Sequence, residues 1–268
     1  MIATLDQELP EATFGGKAAQ LSQAHRKGLP VPPAFALSSD FVDRVVLGEE
    51  ALHGGLFDAF ATLAGPVAVR SSGIGEDSGT ASFAGQHATI LNVRSRPALL
   101  DAMKAVHGSA RTPSALAYRR KLGLSPEPRM GIVLQRLVLA DCAGVLFTRH
   151  PTTGADERVI EATWGLGEAV VAGIVTPDHY RVARGGRVLE KRAGEKDIAI
   201  RWSEEGGTME VEVPAHEVSA FCLPDAHLAA LDALASACEV AFGGTQDLEW
   251  AFAAGRLYLL QRRAITRG

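Results

Sequence analysis

The segment DLEWAFAAGRLYLLQRRAIT, residues 247–266, places two mostly apolar runs on either side of Ala253-Ala254-Gly255. Three residues of this kind form a common β-hairpin loop in which the glycine takes the left-handed conformation. The pattern predicts strands at residues 247–252 and 257–265. The predicted cross-strand pairs are Glu249–Leu259, Asp247–Gln261 and Thr245–Arg263.

Alternate residues of a strand share a face, so the predicted hairpin has one polar and one mostly apolar side. The polar side comprises Asp247, Glu249, Gln261 and Arg263, and the apolar side comprises Leu248, Trp250, Phe252, Tyr258 and Leu260. Carboxylate and amide oxygens are hard ligands that suit Mg²⁺. The alternative is a solvated face on a half-buried hairpin. The scarcity of lysine and the presence of glutamine on this face argue against that alternative.

A second polar stretch, VAVRSSGIGEDSGTASFAGQHATI, covers residues 67–90. It predicts strands at 67–72 and 88–93, with Arg70 delivered to the end of the first strand. A guanidinium group matches a pair of phosphate oxygens. The intervening loop contains Gly73, Gly75, Gly79 and Gly85. A loop of this composition suits a lid that folds over a ligand, and the alternative is a surface hairpin with a surface arginine.

The third stretch is Gly15-Gly16-Lys17, which precedes a predicted helix ending near Lys27. Glycine lets backbone N–H groups approach a phosphate, and lysine supplies positive charge. The stretch is not a Walker loop, because Glu11 stands where that motif has glycine and Ala18 follows the lysine. A plain turn before a helix is the alternative interpretation.

Composition excludes several classes of protein. The chain has 268 residues, of which 47% are hydrophobic and 22% charged, with a formal net charge of −4. These values are typical of a globular protein and do not predict a nucleic-acid partner. The three cysteines form no CxxC pair, and no apolar run approaches the ~18 residues of a membrane span. MIATLDQELP has no signal-peptide pattern, so we expect a cytoplasmic location without a membrane partner.

Short apolar runs dominate the second half of the chain. They predict strands at residues 132–138, 143–148, 159–163, 180–183 and 188–191. Helical spacing predicts an amphipathic helix over residues 228–238. The expected fold class is α+β in two lobes, residues 1–129 with the glycine-rich loop and residues 130–268 with the terminal hairpin.

Several segments occur together in a fixed order along the chain. They are FGGKAAQL, VAVRSSGIGEDSGTASFAGQ, GVLFTRHPTTG, EATWGLGEAVVAG with VTPDHY, DLEWA and LLQRRAIT. This set resembles the N-terminal nucleotide-binding domain of the family of pyruvate phosphate dikinase, phosphoenolpyruvate synthase and rifampin phosphotransferase. The resemblance runs from residue 14 to residue 266 and implies an ATP-grasp fold, in which two β-rich lobes sandwich the nucleotide.

The resemblance also implies roles for individual residues. Lys17 and Arg70 match phosphate-contacting cations, and Gly85 and Thr89 match nucleotide contacts in the loop and the strand after it. Gln135 matches the hinge residue beside adenine. Glu249 and Gln261 match Mg²⁺ ligands, and Arg263 matches a contact to the terminal phosphate. The catalytic candidates among these are Lys17, Arg70 and Arg263.

The implied function is a dikinase-type phosphotransferase module for Mg-ATP. Such a module cleaves ATP to AMP and phosphate while a histidine of a partner domain, fused or separate, receives a phosphoryl group. The segment between Lys17 and Arg70 is shorter than in the family, and no stretch resembles the phosphohistidine motif. Two alternatives stay open, a stand-alone kinase of a small molecule and a non-catalytic nucleotide-binding subunit.

Overall fold

The computed structural model describes residues 1–75 and 88–265. The helices are α1 (Glu11–Phe14), α2 (Gly16–Arg26), α3 (Ser39–Val46), α4 (His53–Thr62), α5 (Arg96–Ser109), α6 (Pro113–Lys121), α7 (Glu168–Val171) and α8 (Asp225–Phe242), with a 3-10 helix at Glu50–Leu52. The strands are β1 (Ile2–Thr4), β2 (Ala34–Leu37), β3 (Val67–Gly73), β4 (Thr89–Val93), β5 (Met130–Arg136), β6 (Cys142–Phe147), β7 (Glu157–Trp164), β8 (Asp178–Ala183), β9 (Val188–Arg192), β10 (Ile198–Trp202), β11 (Thr208–Glu212), β12 (Gln246–Ala253) and β13 (Arg256–Ala264). This mixture of helices and antiparallel sheets confirms the predicted α+β class.

The chain forms two compact units. The first unit comprises Met1–Arg26, Pro32–Leu137 and Ser203–Gly207. Its five-stranded sheet has the order β1-β2-β5-β3-β4, and every neighbouring pair is antiparallel. The second unit comprises Lys27–Val31, Val138–Trp202 and Thr208–Gly268. It contains a six-stranded sheet of order β13-β12-β6-β7-β8-β9 and the ribbon β10-β11.

The hydrophobic core of the first unit lies against one face of its sheet. Strand residues alternate between faces, and the core face carries Val67, Val69, Val93, Ile132 and Leu134. Apolar residues of α3 and α5 complete this core, among them Phe41, Val42, Val45, Leu99, Met103 and Val106. The helices start where polar caps satisfy free N–H groups: Ser38 accepts from Phe41 N, and Ser95 accepts from Ala98 N.

The compact units and the predicted lobes, residues 1–129 and 130–268, divide the chain differently. The predicted boundary precedes β5, whereas β5 belongs to the first unit. The physical reason is strand pairing, since β5 lies between β2 and β3 and hydrogen-bonds with both.

The terminal hairpin differs from its predicted register in two ways. Ala253 pairs with Arg256, so the turn has only two residues, Ala254 and Gly255. Both turn residues have positive φ. A bulge then follows at Leu260, between the Trp250–Leu259 and Glu249–Gln261 pairs. The predicted pairs were therefore wrong by two residues at the polar end of the hairpin.

The shift of two residues leaves the polar face intact. A one-residue change in the loop alone would have turned every side chain of β13 to the other face. The bulge adds a second one-residue change and restores the face. Glu249 is thus directly opposite Gln261, and Asp247 is opposite Arg263.

The buried face of the hairpin has a different membership from that predicted. Leu248, Trp250 and Phe252 are buried as expected, but the partner strand contributes Leu259 and Arg262 instead of Tyr258 and Leu260. Between the turn and the bulge, β13 is offset by one residue from the predicted register, which exchanges the faces of Tyr258 and Leu259.

Asp178 gives the VTPDHY segment a structural role. Its carboxylate is fully buried and accepts hydrogen bonds from Gly194 N and Cys222 N, both at 2.9 Å, and from Tyr180 OH at 3.1 Å. The Lys196 ammonium group, also fully buried, forms an ion pair with it. A buried charge is stable only when it is paired and hydrogen-bonded. These contacts of Asp178 hold residues 194–196 and Cys222 against β8.

The three cysteines are all free thiols. Cys142, Cys222 and Cys238 are buried and form no disulfide. No helix among the described residues has the length and hydropathy needed to cross a membrane.

Candidate functional site

The first unit presents a polar row on the sheet face opposite its core. Arg70 pairs with Val133 on β5 and with Thr89 on β4, and Ala68 pairs with Gln135. Directly opposite residues share a face of a sheet. Arg70, Thr89 and Gln135 therefore lie on one face, as a common binding surface requires.

Arg70 does not lie at the end of its strand. It is in the middle of β3 and only 7% exposed, so its prediction as a strand-end side chain was wrong. The strand continues through Gly73 because Ser71 and Ser72 still pair with β5. Buried arginine needs hydrogen-bond partners, and Arg70 Nη1 donates to Gln135 Oε1 at 2.9 Å.

The hydrogen bond to Arg70 fixes the orientation of the Gln135 amide. A guanidinium only donates, so the atom facing it must be the amide oxygen. Gln135 Nε2 is then a buried donor, with no hydrogen-bond acceptor among the described residues. Leaving such a donor unsatisfied costs about 1–3 kcal/mol, and an acceptor atom on a ligand would remove this cost.

Lys17 lies in the first turn of α2, beside β3. Its ammonium group is 3.4 Å from Ser71 Oγ, and Ser72 Oγ accepts a hydrogen bond from Ala18 N at 3.0 Å. Ser71 and Ser72 were not predicted as functional residues, although the Arg-Ser-Ser sequence marked their position. They attach the start of α2 to the strand that carries Arg70.

Gly15 has a packing role, which the sequence interpretation of Gly15-Gly16-Lys17 as a phosphate contact did not include. Its φ is +84°, and a Cβ at this position would lie 1.8 Å from the carbonyl oxygen of Ser72. Glycine is therefore required for the close approach of the chain to β3. This contact brings Lys17 to the same strand as Arg70.

The glycine-rich loop is described only in part. Residues 76–87 lie outside the described residues, and with them Gly85 and the central part of the predicted lid. Thr89 follows this segment as the first residue of β4, half-buried and paired with Arg70.

The second unit carries the other predicted site residues on one face of its sheet. Glu249 and Gln261 are directly opposite each other, which places their Cβ atoms about 5 Å apart. In the next pair on the same face, Arg263 Nη2 donates to Asp247 Oδ2 at 2.9 Å. Burial raises the pKa of Asp247 above its ordinary value, and the nearby charge of Arg263 acts in the opposite direction.

The donor set at Glu249 and Gln261 fits Mg²⁺. One carboxylate and one amide oxygen are hard ligands, and Mg²⁺ is commonly held by one or two protein carboxylates together with substrate phosphates. In the described parts of the chain, no group of three or more His, Cys, Asp or Glu side chains is arranged to hold a metal.

Comparison with known proteins identifies the family. Residues 50–268 match the family profile described as the pyruvate phosphate dikinase AMP/ATP-binding domain. The chain belongs to this family. Membership confirms the resemblance stated from the sequence motifs and, with it, the ATP-grasp fold class.

The curated relatives of this dikinase-family chain are longer proteins. A probable phosphoenolpyruvate synthase of Methanothermobacter thermautotrophicus is 33% identical over 299 residues, covering 94% of this chain and 44% of the relative. A rifampicin phosphotransferase of Streptomyces sviceus is 32% identical over 306 residues, covering 97% of this chain and 35% of the relative. The chain thus spans less than half the length of either relative. Among solved structures, D-alanine–D-alanine ligase of Bacillus anthracis with ATP has a TM-score of 0.42 at 10% identity, covering 93% of this chain and 55% of the ligase.

Proposed function

We propose that this chain is the Mg-ATP-binding module of a dikinase-type phosphotransferase. The observation that carries the proposal is the match of residues 50–268 to an AMP/ATP-binding domain family. Two features of the geometry support it. The first unit groups Arg70, Thr89 and Gln135 on one sheet face, and the second unit places Glu249 opposite Gln261.

The polar groups of each unit have distinct tasks in this proposal. Lys17 and Arg70 supply positive charge for phosphate oxygens, while Gln135 Nε2 donates a hydrogen bond to the nucleotide. Glu249 and Gln261 would hold Mg²⁺, which neutralises negative charge on the phosphate chain when bound. Arg263 contacts the terminal phosphate. The protein's contribution to phosphoryl transfer of this kind is mainly positioning and electrostatic stabilisation.

The proposed reaction uses ATP, water and a histidine of a phosphohistidine domain. The imidazole nitrogen gains the β-phosphoryl group, AMP leaves with the α-phosphate, and the γ-phosphoryl group is released to water as phosphate. The histidine can belong to a fused or a separate domain. The geometry of the acceptor relative to the phosphate decides the rate of such a transfer.

Product analysis tests this proposal. The chain is incubated with Mg²⁺ and ATP labelled at the β-phosphate, with and without a separately expressed phosphohistidine domain of the family. We expect acid-labile label on that domain together with AMP. Its acceptor histidine replaced by alanine provides the control, which should give neither product. Rapid formation of ADP by this chain alone, dependent on a small acceptor, would establish the stand-alone kinase instead.

A further inference from the structure

Asn92 interrupts the regular pairing of β4 with β3. Val67 pairs with Val93, but the next pair is Val69 with Ile90, so Ala68 faces two residues on β4, Leu91 and Asn92. Asn92 has φ of +58°, the left-handed conformation. Asparagine is among the residues that tolerate this conformation best after glycine. The extra residue is therefore a β-bulge formed by a left-handed asparagine.

This bulge decides which face of the sheet Thr89 occupies. Without it, alternation from Val93 would place Leu91 and Thr89 on the core face, and Ile90 opposite Arg70. With it, Ile90 is opposite Val69 and packs against the hydrophobic core, while Thr89 is opposite Arg70. One residue in an unusual backbone conformation thus separates an apolar from a polar position.

The side chain of Asn92 is fully used in holding this conformation. Its Nδ2 donates to Ser203 O at 2.7 Å and to Gly207 O at 2.6 Å. Its Oδ1 accepts from Arg94 Nε at 2.9 Å, which fixes the orientation of the amide. The backbone oxygen of Asn92 also accepts from Gly207 N at 3.1 Å. Asn92 is 1% exposed, so these contacts replace hydrogen bonds to water.

We propose that Asn92 is a positioning residue for nucleotide binding, because its left-handed bulge turns Thr89 to the face that carries Arg70 and Gln135. The inference rests on the proposed function and on the family resemblance, which implies that Thr89 contacts the nucleotide. Asn92 itself acts only through Thr89, so it affects affinity by backbone conformation and not by direct contact.

A double-mutant cycle tests this inference by calorimetry with Mg-ATP. The variants are Thr89→Val, Asn92→Val, the double variant and Asn92→Gly, each measured below its melting temperature. We expect Thr89→Val and Asn92→Val each to weaken binding about tenfold, the factor for ~1.4 kcal/mol. The double variant should bind no more weakly than either, because both changes remove the same contact.

Asn92→Gly separates the backbone from the side chain. Glycine permits positive φ but removes every side-chain hydrogen bond of Asn92, whereas valine strongly disfavours that conformation. We expect Asn92→Gly to melt at a lower temperature and yet bind Mg-ATP within about twofold of wild type. If Asn92→Val does not fold, Asn92→Ala takes its place in the cycle.

Three outcomes contradict the inference in different ways. Wild-type affinity in Asn92→Val, with weak binding in Thr89→Val, overturns the positioning role of Asn92 and leaves the proposed contact of Thr89 with ATP intact. Equal losses of affinity in Asn92→Gly and Asn92→Val, in step with their melting temperatures, show a merely structural residue. Full affinity in Thr89→Val removes Thr89 from the nucleotide site, so both this inference and that part of the proposed function fail.

Discussion

At the scale of single residues, the Arg70–Gln135 hydrogen bond is the most informative contact of the candidate site. It joins two residues that are 65 positions apart, on adjacent strands, and both are buried. Removing Gln135 takes an acceptor from Arg70, and removing Arg70 takes a donor from Gln135 Oε1, so simple alanine variants would confuse stability with function. A variant that keeps an acceptor for Arg70 separates the two effects.

Gln135→Glu is such a variant. The carboxylate still accepts from Arg70, so we expect the free energy of unfolding to stay within about 1 kcal/mol of wild type. It lacks the Nε2 donor and neutralises the charge of Arg70, so Mg-ATP affinity should fall at least about tenfold. Thermal melting and calorimetry measure the two quantities. The matched control, Gln135→Leu, removes the acceptor and should lose about 1–3 kcal/mol of stability. Wild-type affinity in Gln135→Glu would show that neither group serves the nucleotide.

At the scale of elements, the terminal hairpin shows how a turn and a bulge together set the positions of the site residues. Ala254 and Gly255 have φ of 49° and 73°, the conformation of a two-residue turn that favours Asn-Gly. Alanine in the left-handed region is strained by about 1 kcal/mol. The turn is held to the rest of the second unit by Asp141 Oδ2, which accepts from Ala254 N at 2.7 Å.

Ala254→Asn should therefore stabilise the protein. Asparagine tolerates the left-handed conformation and keeps the backbone hydrogen bond to Asp141, so we expect a gain of about 0.5–1 kcal/mol in the free energy of unfolding. Gly255→Ala is the control. A Cβ there meets no atom within 4 Å, so its expected loss of about 1 kcal/mol comes from backbone conformation alone. Urea denaturation measures both variants, and a loss of stability in Ala254→Asn would contradict this description of the turn.

At the scale of the whole molecule, the proposed ligands should contribute to stability by mass action. A ligand that binds only the folded state at about 100 times its Kd adds ~2.7 kcal/mol to the free energy of unfolding. We expect this gain from ATP with Mg²⁺ and much less from ATP with a chelator, because Glu249 and Gln261 need the metal to engage the phosphates. Thermal melting with each ligand mixture measures the difference.

Glu249→Ala should abolish the Mg²⁺-dependent part of that gain. Glu210→Ala removes an exposed carboxylate from β11 in the same unit and serves as the matched control with a wild-type response. Unchanged Mg²⁺ dependence in Glu249→Ala would show that the metal, if bound, is held elsewhere.

The sequence by itself determined those features of this protein that depend on the pattern of neighbouring residues. Apolar alternation located most strands within a few residues, and the glycine at position 255 located the hairpin turn. The ordered motifs identified the family, whose profile matches residues 50–268. Even the polar face of the hairpin was predicted correctly from alternation, because the register error at that end was an even number of residues.

The tertiary structure decided which residues meet. Glycine is required at position 15 by the nearby carbonyl of Ser72, and Arg70 is buried beside Gln135. The residues next to Gly15 and Arg70 in the sequence do not indicate these partners. The two bulges, at Leu260 and at Asn92, set the positions of Gln261 and Thr89. A bulge is a mismatch between two strands, and its conformation is stabilised by contacts with distant segments such as the turn at Ser203–Gly207. Local periodicity specifies which side of a strand a residue occupies only until such a mismatch intervenes.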